Sequence, residues 1–170
     1  EASAIDLARR VLDHLPQNNL SKPVMRETAD PADRRDVALN SGLPDEAHQP
    51  YDMHDVINRV VDDGDFLEIQ PAWAANILVG FARLGGRSVG VIASQPLHDA
   101  GRIDELAATK IGRFVELCDS YEFPIVVLAD SDGCVTTWTD DEGRTVTEPG
   151  VSRWHTRPIV AHQHRSVPLF

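Results

Sequence analysis

With 170 residues, 42% of them hydrophobic and 25% charged, the chain has the size and composition of one globular domain that buries a core without disulfides or metal. Its formal net charge of -11 excludes the basic surface that a nucleic-acid backbone requires. Two cysteines, Cys118 and Cys134, with no CxxC spacing fit a reduced cytoplasmic setting, and the longest apolar-rich stretch, AWAANILVGFA, is too short to span a bilayer.

The N-terminal EASAIDLARRVL is amphipathic rather than uniformly apolar, so no signal peptide is expected. Over residues 4–15, Ile5, Leu7, Ala8, Val11, Leu12 and Leu15 share one broad helical face, and Pro16 stops the helix. Residues 16–50 carry five prolines (16, 23, 31, 44 and 50) among many charges and read as an extended linker with one short helical turn. In YDMHDVINRVVDDGDF, helical spacing returns at Met53, Val56, Ile57, Val60 and Val61. Asp52 or Asp55 suits the positive end of that helix and Gly64 its end. FLEIQ predicts a short strand; ANILVGFAR and SVGVIAS predict two longer ones joined by a Gly85-Gly86 turn.

Ile103, Leu106, Ala107, Ile111, Phe114, Val115 and Cys118 then recur at three- and four-residue spacing, with Asp104 and Glu105 in the first turn. Pro124 introduces IVVLA, a continuous apolar run that predicts a strand covered on both faces. Residues 131–149 are polar and turn-rich. Residues 150–165 predict a further helix kinked by Pro158. The chain begins with Glu1 and stops at Val167-Pro168-Leu169-Phe170, an apolar run with no turn after it, which predicts a piece of something longer.

The series DPADRRD, QPYDMHDVI, DDGDFLEI, NILVGFARLGGRSVGVIASQP, AGRID, KIGRFVELCD and FPIVVLAD resembles the second half of the biotin-dependent acyl-CoA carboxyltransferases, the β subunits of propionyl-CoA and acetyl-CoA carboxylases. The resemblance covers residues 3–130. It implies an α/β fold of crotonase-like ββα units, here an incomplete second half: residues 1–15 a linker helix, 16–50 a Pro/charge-rich linker, and 51–170 a partial carboxyltransferase C-domain. It implies carboxyl transfer from carboxybiotin to an acyl-CoA. Biotin would be carried on a partner, the biotin carboxylase/biotin carboxyl carrier subunit, and the β subunits would form a homo-oligomer. The same resemblance allows a biotin-dependent decarboxylase subunit, or a non-catalytic homologue kept for assembly.

On residue physics alone, FARLGGRSVGVIASQP is either a plain hairpin with a polar exit loop or a strand that delivers a loop to a site. The resemblance favours the second and implies a biotin-facing loop at Ser94, Gln95, Pro96, Ala100 and Gly101, with Gly133 beside it. Backbone N–H groups aimed at the ureido oxygen of biotin would stabilise the charge that grows there as the carboxyl group leaves. Gly101 would permit a close backbone approach, and the following helix points its positive end the same way.

Departures from the family pattern are specific. The family's Pro-Gly-Phe loop reads Asp132-Gly133-Cys134 here, which makes it more polar and freer in the unfolded state. GVSRWHTRPIVAHQHRSVP agrees with a family helix at Gly150, Arg153, Ala161, Val167 and Pro168, but not at Trp154, His155 and Pro158. The family's Gly-Gly-Ala oxyanion segment would follow Phe170, and the CoA-holding half would precede this chain, so these residues alone are expected to be inactive.

Other constellations point to no chemistry. His155, His162 and His164 lack a fourth ligand at suitable spacing. Cys134 has no local histidine to activate it, and Cys118 belongs to an apolar helix face. Asp62, Asp63 and Asp65 lack the downstream Glu of a calcium loop, and Gly85-Gly86 lacks the GK[ST] of a phosphate loop. Lys110 and Arg113 read as surface charge.

Overall fold

The computed structural model describes residues 2–150, apart from residues 19, 32, 45, 47, 48, 140 and 141. Helix α1 (Ala2–His14) leads into the proline-rich segment, which makes one 3-10 turn at Val37–Asn40. There follow α2 (Met53–Val60), β1 (Leu67–Glu68), β2 (Ile77–Leu84), β3 (Arg87–Ser94), α3 (Glu105–Ser120), β4 (Ile125–Leu128), β5 (Val135–Thr139) and β6 (Thr145–Pro149). Strands β1 to β4 form one sheet in chain order, and β5 and β6 form a separate two-stranded ladder.

The β2–β3 hairpin is the spine. It pairs antiparallel from Ile77↔Ser94 to Leu84↔Arg87. Gly85 and Gly86, at φ 56 and 77, supply the two left-handed residues that so tight a turn demands. Strand alternation sends Ile77, Val79, Phe81 and Ile92 to one face, against Phe114, Val115 and Cys118 of α3. It sends Leu78, Ala82, Val89, Val91 and Ala93 to the other, against Met53 and Ile57 of α2. Both faces are covered, so these strands read as unbroken apolar runs. At Gly90 a Cβ would meet Cys118 Sγ at 2.5 Å and Phe114 Cε1 at 3.1 Å; its absence lets α3 close onto the sheet. Phe81 packs on Phe114 and Phe123, with ring centroids 5.5 and 5.4 Å apart. Each such buried side chain contributes about 1.5–3 kcal/mol, against about 0–1 kcal/mol for an exposed ion pair, so this sandwich dominates stability. After α3 the chain returns as β4, parallel to β3 from Gly90↔Ile125 to Ala93↔Leu128, completing a ββα unit and the strand after it.

The linker is tied down by its charges. Arg34 donates to the main-chain oxygens of Arg59 (2.6 Å) and Val61 (3.2 Å) at the end of α2 and pairs with Asp30. Asp36 accepts from Ala38 N–H and from Arg59, and the Arg59 bond foremost holds its carboxyl below the usual range. Val11 of α1 and Leu15 just after it reach the core, and His14 stacks on Phe81 at 5.7 Å.

Several expectations need correction. Helix α2 stops before Gly64: Val61 closes it by donating to Ile57 O, and Asp62–Gly64 is a separate 3-10 turn. The broad apolar face of α1 is only partly used, since Ile5, Leu7 and Leu12 are exposed. Ile103 precedes α3 and bridges to Cys134, while Leu106 is 53% exposed. Strand β4 meets the core on both faces but is covered incompletely: Ile125 is buried on the α3 side, Val126 and Leu128 pack on the α2 side, and Val127 is 36% exposed.

Lys110 is not surface charge. It is 1% exposed, and its Nζ donates to Trp73 O, Ala74 O and Ile77 O at 2.8, 3.3 and 2.7 Å. Burial lowers its pKa. Arg113, one turn on, lies over the Trp73 ring at 5.5 Å. The polar segment after Asp130 contains the β5–β6 hairpin, registered from Val135↔Pro149 to Thr139↔Thr145. The helix expected over residues 150–165 and the histidines at 155, 162 and 164 lie outside the described residues.

Candidate functional site

Strand β3 ends at Ser94 and β4 at Leu128, so their carboxyl ends open on the same side of the sheet. Open α/β sheets place ligands there. A cleft of about 570 Å³ lies at this edge, lined by Pro96, Leu97 and Ala100 from the loop after β3, by Asp130 and Asp132 from the loop after β4, and by Leu43, Pro44, Glu46, Gln49, Pro50 and Tyr51 of the linker and its junction with α2.

The loop after β3 is fixed by buried polar groups. Ser94 Oγ accepts from Asp130 N–H at 3.3 Å and so joins the two strand ends. Gln95 donates its N–H to Asn76 O at 2.9 Å. Its side chain, 2% exposed, accepts from Met53 N–H at 3.1 Å and donates to Asp52 at 2.7 Å. The loop thus hangs on the first turn of α2, which Asp52 caps through His54 N–H.

Beyond Pro96 the backbone turns left-handed at three successive residues, Asp99, Ala100 and Gly101, with φ 50, 52 and 64. Two of these are not glycine, and each such residue costs of order 1–3 kcal/mol unless its surroundings impose it. The surroundings do so through Gly101 N–H to His98 O, Arg102 N–H to Asp99 O and Asn76 Nδ2 to Arg102 O. A Cβ on Gly101 would lie 2.6 Å from Asp130 O and 3.0 Å from Ser94 Cβ. Among the described residues, the N–H groups of Asp99 and Ala100 meet no acceptor. Successive amides in such a turn make a concavity suited to an oxygen atom that carries charge.

The opposite wall comes from the linker. Tyr51 donates to Asp130 Oδ2 at 2.7 Å across 79 residues of chain. Burial, and then the Asp130 bond, raises the Tyr51 pKa, so the phenol stays a donor at neutral pH. Asp130, Asp132 and Glu46 make the rim acidic.

Of the six residues singled out from the sequence, Pro96 and Ala100 line the cleft. Ser94, Gln95 and Gly101 stand buried behind it and shape its wall. Gly133 sits in the adjoining turn, where its carbonyl accepts from Ile103 N–H and its own N–H donates to Ser131 Oγ. Sequence reasoning missed Tyr51, Asp130, Asp132 and the linker wall. The one available signal was the hydrogen-bonding residue Tyr51 directly after Pro50, at the point where the linker meets α2. Cys118 is buried and its pKa is pushed up to about 12 by that burial, as suits a core thiol. No group of three metal-ligating side chains forms among the described residues, and among them no helix is long and apolar enough to cross a membrane.

Residues 1–146 match the carboxyl transferase domain family. The chain is 41% identical over 175 residues to the biotin-dependent acetyl-/propionyl-coenzyme A carboxylase beta5 subunit of Mycobacterium tuberculosis, covering 99% of this chain and 31% of that protein. It is 39% identical over 168 residues to the methylmalonyl-CoA decarboxylase subunit alpha of Veillonella parvula, covering 99% and 32%. The structure superposes on the transcarboxylase 12S hexamer subunit, solved with methylmalonyl-coenzyme A bound, with a TM-score of 0.84 and 33% identity over 95% of this chain and 30% of that one. The chain therefore spans about a third of the length of the curated relatives it matches.

Proposed function

The chain belongs to the carboxyl transferase domain family, with the α/β crotonase-like fold of that family, and from this premise we propose that it forms part of an acyl-CoA carboxylase β subunit, which moves a carboxyl group from carboxybiotin to an acyl-CoA. The observation that carries the reading is the left-handed Asp99-Ala100-Gly101 turn, which sets Ala100, whose amide meets no acceptor among the described residues, in the wall of a cleft at the strand ends.

The residues present fit the ureido ring of biotin. That ring offers a carbonyl acceptor beside N–H donors. The cleft wall offers an amide donor at Ala100 and carboxylate acceptors at Asp130 and Asp132. When bound, carboxybiotin supplies an activated carboxyl group. Ala100 N–H would hold the ring carbonyl and stabilise the charge that develops on its oxygen, without the reorganisation that water would need. Ser94, Gln95 and Gly101 would hold that amide in place, and Tyr51 would keep the linker wall closed on Asp130. Gly133 would let the Asp132 loop turn beside Ile103.

The same reading places biotin on a partner biotin carboxylase/carboxyl carrier subunit, and assembles the parent polypeptide as a homo-oligomer in the cytoplasm, with residues 51–170 as the first part of its C-terminal carboxyltransferase domain. The Veillonella relative supports a second reading, in which the same loops serve an acyl-CoA decarboxylase.

The test uses the full-length polypeptide as its native oligomer, supplied with carboxylated carrier and either acetyl-CoA or propionyl-CoA. Malonyl-CoA or methylmalonyl-CoA should form. A folded oligomer that carboxylates neither thioester, yet transfers the carboxyl group of methylmalonyl-CoA to biotin on the carrier and releases propionyl-CoA, would favour the second reading. A folded oligomer inactive in both directions would leave only an assembly role.

A further inference from the structure

Behind the cleft, four polar side chains from three elements form one hydrogen-bonded chain. Glu68 of β1 faces His54 Nε2 at 3.0 Å, and His54 Nδ1 faces Asp52 Oδ1 at 2.7 Å. Asp52 Oδ1 also accepts from Gln95 Nε2 at 2.7 Å. Gln95 Oε1 accepts from Met53 N–H and sits 3.5 Å from Leu97 N, while Gln95 O accepts from His98 N–H where the left-handed turn begins. Each imidazole nitrogen meets a carboxylate, and the amide that anchors the cleft loop shares one of those carboxylates.

We propose that His54 is a positioning residue for the Gln95–Gly101 loop: set between Asp52 and Glu68, its imidazole decides whether the Gln95 carboxamide stays on Asp52. The effect on catalysis rests on the functional reading above, whereas the coupling of His54 to the loop does not.

A charged imidazole has two N–H donors, one for each carboxylate, and leaves Asp52 as the sole acceptor for Gln95 Nε2. A neutral ring that keeps its proton on Nε2 still holds Glu68. Its Nδ1 then becomes an acceptor 2.7 Å from the Asp52 oxygen, where two lone pairs repel, and 3.3 Å from Gln95 Nε2, which gains a competing partner. Loss of the Nδ1 proton therefore loosens the Gln95–Asp52 bond, and with it the first anchor of the loop, whereas a neutral ring protonated on Nδ1 would keep it.

Burial lowers the pKa of His54, but its hydrogen bonds to Glu68 and Asp52 and the charges of both outweigh it and raise it above 6.5. The contribution is complete below pH 6.5 and is lost as pH rises through the raised value. The charged groups facing this chain are Asp52, Glu68 and, from α3, Lys110, whose ammonium acts on Glu68.

Hydrogen exchange by mass spectrometry on the full-length oligomer from pH 6 to 9, corrected for intrinsic exchange rates, tests the coupling. In peptides covering residues 95–102, protection should fall about fivefold along a one-proton curve, the worth of one net hydrogen bond. His54→Gln should give low protection independent of pH. Glu68→Gln should keep the curve and move its midpoint to lower pH, which a purely structural role would not do. Protection independent of pH in the wild type, a curve that survives in His54→Gln, or an unmoved midpoint in Glu68→Gln would each overturn the proposal. Where carboxyl transfer is present, kcat/KM should follow the same curve. A loop that responds to pH as expected in a protein without carboxyl transfer keeps the role of His54 and overturns only the functional reading.

Discussion

At its turn, the β2–β3 hairpin is closed from outside. The Asp62 carboxylate accepts from Gly85 N–H at 3.0 Å and Gly86 N–H at 2.7 Å, and the linker adds Arg26 N–H to Gly86 O. At its exit, the same hairpin is held from inside by Ser94, Gln95 and Asn76, all buried, and it runs on into a left-handed turn that a glycine completes. The turn end itself uses glycines and is partly exposed, and the one left-handed non-glycine residue near it, Asp63, lies outside the hairpin. The exit end combines strain with buried polar bonds. Strain of that kind persists only where the surroundings impose it, and it gathers at sites of function; the cleft lies at the strained end.

The largest effects should come from glycines that both ends need. Gly101→Ala forces a Cβ onto Asp130 O, and Gly86→Ala forces one onto Arg26 O, in each case at positive φ. Urea unfolding should show a loss of about 3 kcal/mol or more for both. Gly85→Ala, with open space around its Cβ, should lose only about 1 kcal/mol. Equal losses at positions 85 and 86 would remove close approach as the cause.

Next in size is an acid effect near the turn end. Burial first, and then the Arg83 charge, lowers the pKa of His14 to about 4. Between pH 6.5 and 4 the unfolded chain binds a proton that the folded one refuses, so stability falls with pH by about 3 kcal/mol over that window. His14→Gln should flatten this slope. His54 has the opposite sign, contributing at low pH and fading as pH rises, so the two histidines can be told apart in one pH series of unfolding midpoints.

A smaller loss, about 2 kcal/mol, is expected for Gln95→Ala, which strips Met53 N–H and Asp52 of a buried partner. If the exit end is the functional one, this variant should also lose carboxyl transfer beyond its loss of stability. The smallest change should be Asp62→Ala, about 1 kcal/mol, with kcat/KM unchanged in the folded fraction. A catalytic defect in Asp62→Ala would erase the contrast between the two ends.

The core was legible because its signals are local. Period-two burial on both faces made β2 and β3 continuous apolar runs, and three- and four-residue spacing marked α3. The β5–β6 hairpin was not legible: VTTWT and TVTEP alternate no apolar face, so β-branched residues were the sole cue and the acidic turn between them dominated. Lys110 was misread because charge predicts exposure, and nothing nearby in sequence announces two carbonyl oxygens from the β1–β2 loop and a third from the first residue of β2. The cleft was half legible. Gly101 and the exit loop stand out in the sequence, but Tyr51 meets Asp130 only after the chain has folded, and the left-handed backbone at Asp99 and Ala100 has no residue-type signature.

The burial of Lys110 has a consequence for the chain's amine chemistry. The sequence holds two lysines, Lys22 and Lys110. Lys22 is exposed, while Lys110 is sealed between α3 and the chain entering β2, with its ammonium spent on backbone carbonyls. Among reactive thioesters, adventitious acylation of a lysine side chain can reach only Lys22 while the fold is intact. A modified Lys110 would therefore record that the α3 layer had opened, which makes this one side chain a chemical memory of unfolding.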